Sequence, residues 1–257
     1  MRGFFGFAQK EGLEIVRTWR IWVLPGMLLF FALTGPFMAK YTPEIVKALG
    51  GSEMAALIKG MPKPTYLDAY AQWIKNLSQI GIFAIIIIYG GLISAERKDG
   101  TAILVLTKPL SRTAYVVAKA AVHAAFLAVA VGITTVVTWS VTRMVFGRSP
   151  GTHLWYAVVA WLALAIFFLG VMTLLSSLLG SQAGAAGIGL AVFASLSVAG
   201  MWEPLQRFSP AGLVQAPAML AAGKQAAALV VSPVITALGL AVVLVMAAAE
   251  IFRTKEL

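Results

Sequence analysis

The chain has 257 residues, of which 60% are hydrophobic and only 12% charged, with a mean hydropathy of +0.88. Soluble domains carry about 25% charged residues, so the composition excludes an ordinary soluble domain. The net charge of +10 does not indicate nucleic-acid binding, because the basic residues are spread among loops between apolar runs, and the lack of Cys excludes disulfides, thiolate metal sites and Cys nucleophiles.

Residues 1–20 precede the first long apolar run. At 100° per residue, Phe5, Ala8, Gly12, Ile15, Val16 and Trp19 fall on one arc, and Lys10, Glu14 and Arg17 fall opposite. The pattern predicts an interfacial helix along the cytoplasmic leaflet, with Lys10, Glu14 and Arg17 on its polar face. A bilayer span takes roughly 20 apolar residues, and six runs qualify: 21–39, 73–95, 114–139, 155–179, 183–202 and 229–249. Pro25 and Pro36 lie in the first run, where a membrane helix tolerates kinks.

Residues 40–72 are too polar to span and read as an external loop. Thr42-Pro43-Glu44 signals a helix start within it, and Ser52 a cap for a second short helix ending near Gly60. Pro62 and Pro64 then break the chain. Between the second and third runs, the loop 96–113 opens on Glu96, Arg97, Lys98 and Asp99. Gly100 permits a sharp turn and Thr101 caps a short helix over 102–107. Pro109 ends that helix and Ser111 caps the third span.

Within the third run, Lys119 is read as snorkelling to the cytoplasmic interface, and His123 one turn on as packed or substrate-facing. Gly180-Ser181-Gln182 splits a long uncharged run into two spans joined by a tight hairpin. Residues 203–228 carry Pro204, Pro210 and Pro217. They are apolar but too broken to cross, which fits short helices dipping back into the outer leaflet. Glu250 is placed to meet Arg253.

The expectation is an all-α, polytopic membrane protein forming one domain over 1–257. Six spans put both termini on one side. That side carries ten Lys and Arg against eight on the other, in much less loop, so the termini are assigned to the cytoplasm. Lys75 and Lys119 fall inside the predicted spans.

The 96–113 loop carries the functional signal. Its short helix presents Ile103, Leu104, Val105 and Leu106, apolar nearly all round, between charged flanks. Such a helix needs cover. Docking on a cytoplasmic partner and lying as a simple interfacial hairpin are equally open on physical grounds. Arg97, Lys98 and Arg112 also suit lipid phosphates.

The run Glu96-Arg97-Lys98-Asp99-Gly100-Thr101, with Leu104, Lys108-Pro109-Leu110-Ser111-Arg112, Tyr115 and Lys119, resembles the E-R-x-x-G-T…L…P-L-S-R…Y…K pattern of permease subunits of type-2 ATP-binding-cassette (ABC) exporters. The resemblance implies six spans, an N-terminal elbow helix over 1–20, external helices before the last span and a bacterial-type plasma (inner) membrane. It implies a coupling helix seated in a separate cytoplasmic ATPase. Glu96, Arg97, Lys98, Asp99, Gly100, Thr101, Ile103, Leu104, Leu106 and Pro109 would carry that coupling. Two ATPase copies and a second permease chain, identical or not, would complete the transporter.

No G-x-x-x-x-G-K-[ST] loop occurs, so the chain is not expected to hydrolyse ATP itself. ATP and Mg belong in the partner subunit, and no catalytic or metal residue is assigned here. The two histidines, His123 and His153, form no spacing motif. Two other classes stay in view: an ion-gradient-driven carrier or intramembrane enzyme, and a non-transporting scaffold or sensor. The first usually needs an intramembrane carboxylate, which the fourth to sixth spans lack.

Overall fold

A computed structural model describes residues 2–18, 20–49, 63–101 and 110–255, and among them it contains helices and no strands. Six helical segments are long and apolar enough to cross a membrane: Trp22–Ala48, Tyr66–Lys98, Arg112–Phe146, Thr152–Leu178, Gln182–Ala199 and Ala227–Thr254. They correspond one to one with the six predicted runs.

Helix α1 (Arg2–Arg17) precedes the first span. Phe7, Glu11 and Ile15, spaced i, i+4, i+8, are buried against the bundle, whereas Phe5 and Val16 are exposed. The helix is therefore three-sided: an inward stripe containing one carboxylate, an apolar flank available to lipid, and the polar face with Lys10 and Arg17.

Helix α2 (Arg20–Leu49) runs straight through Pro25, Pro36 and Pro43. The expected helix start at Pro43 is thus corrected, and the segment 40–49 belongs to the first span's helix. An interior Pro removes one backbone hydrogen bond. The helix nevertheless continues past all three prolines, and Lys40 Nζ donates to the Val145 carbonyl at 2.8 Å. The predicted second helix capped by Ser52 lies outside the described residues.

The next helix also begins earlier than expected. Helix α3 (Tyr66–Asn76) starts seven residues ahead of the predicted span. Its Asp68 carboxylate accepts from the Thr65 backbone N–H at 2.7 Å and the Thr65 hydroxyl at 2.9 Å, a capping arrangement that fixes the start. Residues 66–72 therefore belong to the helix that continues into the second span. One face of α3 buries Ala69, Tyr70, Trp73 and Ile74. A π-helical turn, Leu77–Gly81, joins it to α4 (Ile82–Tyr89). A turn at 90–93 leads to α5 (Ser94–Lys98), and Gly100, at φ +72°, reverses the chain after it.

Helix α6 (Arg112–Phe146) is capped by Ser111, whose hydroxyl accepts from the Ala114 N–H at 3.1 Å. Helix α7 (Thr152–Leu178) is the most buried span and forms the centre of the bundle. Helix α11, defined below, lies so close to it that a methyl added at Gly170 would come within 3.1 Å of the Ala241 Cα. The hairpin at 179–181 is present, with Ser181 capping α8 (Gln182–Ala199), the least buried span.

Residues 203–230 form short pieces: α9 (Glu203–Phe208), a 3-10 turn Pro210–Val214, α10 (Ala216–Ala221) and a second 3-10 turn Ala227–Val230. Leu213, Leu220 and Ala221 are buried among the spans. Gly212 is required there, since a side chain would strike the Gln206 carbonyl at 2.0 Å. Helix α11 (Val231–Thr254) closes the bundle, and both described ends of the chain lie at the same end of it.

Candidate functional site

The buried charged residues, Glu11 and Lys119, lie at the end where α1, α5, the start of α6 and the final turns of α7 and α11 meet. The centre is Lys119. Its ammonium lies 2.6 Å from Glu11 Oε2 and 2.6 Å from Glu96 Oε1, and Lys119 and Glu11 are 0% and 1% exposed. The other Glu96 oxygen accepts from the Tyr115 hydroxyl, one turn before Lys119. This corrects the snorkelling assignment. A lysine two turns into a span reaches water only when nothing nearer compensates it, and here carboxylates from two other elements do.

Glu11 is the residue that sequence reasoning passed over. It sits in the inward stripe of α1, where a hydrophobic residue is the ordinary choice. The available signal was the pairing of an inward carboxylate with an intramembrane lysine, each otherwise costly to bury.

A second layer surrounds this core. Lys10 Nζ contacts Glu11 Oε1 at 3.0 Å and Glu14 Oε2 at 2.5 Å. Partial burial alone would lower the Lys10 pKa, but the Glu14 and Glu11 carboxylates outweigh it, and the net shift is upward. Arg17 is exposed. The Tyr115 ring packs between Phe7, at 5.1 Å between centroids, and Phe252, at 5.2 Å, joining α1, α6 and α11.

Oxygens of Glu11, Glu14 and Glu96 lie within 4.8 Å of one another, a spacing that suits a cation. Two ammonium groups, Lys10 and Lys119, already contact these carboxylates. Three negative charges face two positive ones, so the cluster is an ion-pair network and does not fit a metal ion well.

Arg97 points to the opposite side of α5. Its guanidinium donates to the Ser177 carbonyl at 3.3 Å and the Leu179 carbonyl at 3.2 Å, serving the open carbonyls at the end of α7. The Ser176 hydroxyl accepts from the Ile93 and Ser94 N–H groups at 2.9 and 3.0 Å. Arg112 donates to the Arg253 and Lys255 carbonyls at 3.0 and 2.6 Å, and Lys255 Nζ donates to the Leu178 carbonyl at 2.6 Å. Desolvation, then the nearby Arg97 charge, lowers the Lys255 pKa. The expected Glu250–Arg253 pair is present at 2.6 Å.

The predicted coupling residues therefore separate. Glu96 and Arg97 face inward and bind the loop directly to α6 and α7, and by way of Lys119 to Glu11 of α1. Lys98 and Asp99 are exposed, and the Thr101 hydroxyl donates back to the Glu96 carbonyl at 3.2 Å. Ile103, Leu104, Leu106 and Pro109 lie outside the described residues.

Two comparisons bear on this geometry. A family described as "ABC-2 family transporter protein" matches residues 7–257. The chain is also similar to YxlG of Bacillus subtilis (strain 168), described as an uncharacterized transmembrane protein, with 24% identity over 201 residues and 77% of each chain covered.

Proposed function

This chain belongs to the ABC-2 family of transporter proteins, and from that premise we propose that it is the permease subunit of an ATP-driven exporter, worked by a separate cytoplasmic ATPase docked on the 96–113 loop. Family membership supports the coarser statement, a membrane component of an ABC transporter associated with an ABC ATPase. The observation that carries the finer one is the anchoring of α5. Glu96 and Arg97 tie this one short helix to two spans, α6 and α7, and through Lys119 to α1, while Lys98 and Asp99 next to them stay exposed.

A displacement of the exposed loop is handed on through these ties. Arg97 holds the end of α7, the central span. Glu96 holds Lys119 of α6, and Lys119 holds Glu11 of α1. Closure of an ATPase dimer beneath the loop would move all three together and rock the spans between inward- and outward-facing arrangements. In this reading both termini are cytoplasmic, two ATPase copies serve two permease chains, and the membrane is a plasma (inner) membrane. The buried charges lie at one end of the bundle and compensate one another, which gives no support to an ion-coupled carrier.

The test uses the apolar residues of the loop. Leu104→Asp with Leu106→Asp releases the ATPase from the affinity-purified permease. Retention of the ATPase by a double variant of normal yield would overturn the docking assignment. ATP turnover by the purified chain alone would overturn the division of labour.

A further inference from the structure

At the other end of the bundle, a groove of about 860 Å³ opens between the distal part of α2, α3, α8 and the short helices before α11. Asp68, Gln72, Lys75 and Gln79, at i, i+4, i+7 and i+11, all line it from one face of the second span. Lys75 lies nine residues into this helical segment, roughly 14 Å along its axis. A lysine on a groove wall with no structural partner is free to meet an anionic ligand.

The neighbours of Lys75 do not account for it. Asp68 Oδ2 is taken by the Thr65 cap, and Gln72 donates to Asn76 at 3.2 Å. Lys75 is exposed in the groove, with no ion pair or hydrogen bond among the described residues. The Ser78 hydroxyl is buried without a hydrogen-bond partner among the described residues. Ser78 and Gln79 belong to the π-helical turn Leu77–Gly81. Such turns cost hydrogen-bond geometry and recur at functional sites. The opposite wall is apolar, with Phe193, Val214 and Met219.

We propose that this groove binds an amphiphile with an anionic head, the head held by Lys75 beside the Ser78 hydroxyl and the Gln79 amide, and the apolar body against Phe193 and Met219. This rests on the permease reading and adds a cargo class to it. Lys75 selects for negative charge. The hydroxyl and amide complete the hydrogen bonds of an oxyanion.

The probe is 11-(dansylamino)undecanoic acid, compared with its uncharged methyl ester and titrated against the full chain in phosphatidylcholine nanodiscs. The acid binds saturably and about tenfold or more tighter than the ester. Lys75→Gln removes that preference, and Lys75→Arg keeps it to within about threefold. Acetate does not displace the acid, because the apolar body is needed. Equal affinities for acid and ester in the wild-type chain, or no saturable binding of the acid, overturn the proposal without recourse to any variant. An unchanged preference in a folded Lys75→Gln chain also overturns it. The titration contains no ATPase, so its failure leaves the permease reading intact, and failure of ATPase co-purification leaves the binding result standing.

Discussion

Two lysines inside the spans have opposite surroundings. Lys119, at the α1–α5–α6 junction, is sealed from solvent between two carboxylates. Lys75, near the opposite end, is exposed in a largely apolar groove with its ammonium unclaimed among the described residues. A buried charge with full compensation is a structural joint. An uncompensated charge on a groove wall is available to something from outside. The contrast matches the two roles proposed above, coupling at one end and ligand binding at the other.

The largest effect that would break this contrast is expected at the joint. Lys119→Met leaves Glu11 and Glu96 facing each other in a dry site, and removing one partner of a buried pair costs about 3–5 kcal/mol. A fall in thermal stability in detergent is expected, with substantial recovery when Glu11→Gln and Glu96→Gln are added. A stable single variant would show that the network is not the joint described here.

A middling effect is expected at Arg97. Arg97→Ala strips two hydrogen bonds from the carbonyl end of α7, a loss of about 1–2 kcal/mol for charged donors that are partly exposed. Hydrogen exchange at residues 176–182 should accelerate while the middle of α7 keeps its protection. Uniform acceleration along α7 would contradict the local assignment. The smallest effect is expected at Glu14, whose pair with Lys10 is partly exposed. Glu14→Ala should change stability by no more than ~0.5 kcal/mol and diminish further in salt. A loss comparable to that of Lys119→Met would place Glu14 inside the joint.

Much of the fold was legible in the sequence because its signals are local. Six apolar runs gave six spans. Ser111 caps the helix it was expected to cap, the hairpin at Gly180-Ser181-Gln182 is present, and Gly100 takes the left-handed turn. The misreadings come from residues whose meaning depends on distant partners. Pro43 looked like a helix start because nothing in its neighbourhood shows that α2 is supported along its length. Residues 66–72 looked like loop because Asp68 and Gln72 are polar, although these share one face with Lys75 while Ala69 and Tyr70 are buried on another. Lys119 looked like a snorkelling residue because Glu11, its partner, lies 108 residues earlier in the chain. At the candidate site, Glu96 and Arg97 were singled out by sequence. That they look inward, while Lys98 and Asp99 look outward, follows only from the path of α5.

The central claim is that the outward side of the loop after the second span meets an ATPase. A photo-crosslinking amino acid at position 98, activated in intact membranes, tests it most directly. The account predicts a crosslinked product whose second component carries the G-x-x-x-x-G-K-[ST] sequence. Products containing only lipid, or only a second copy of this chain, would contradict it.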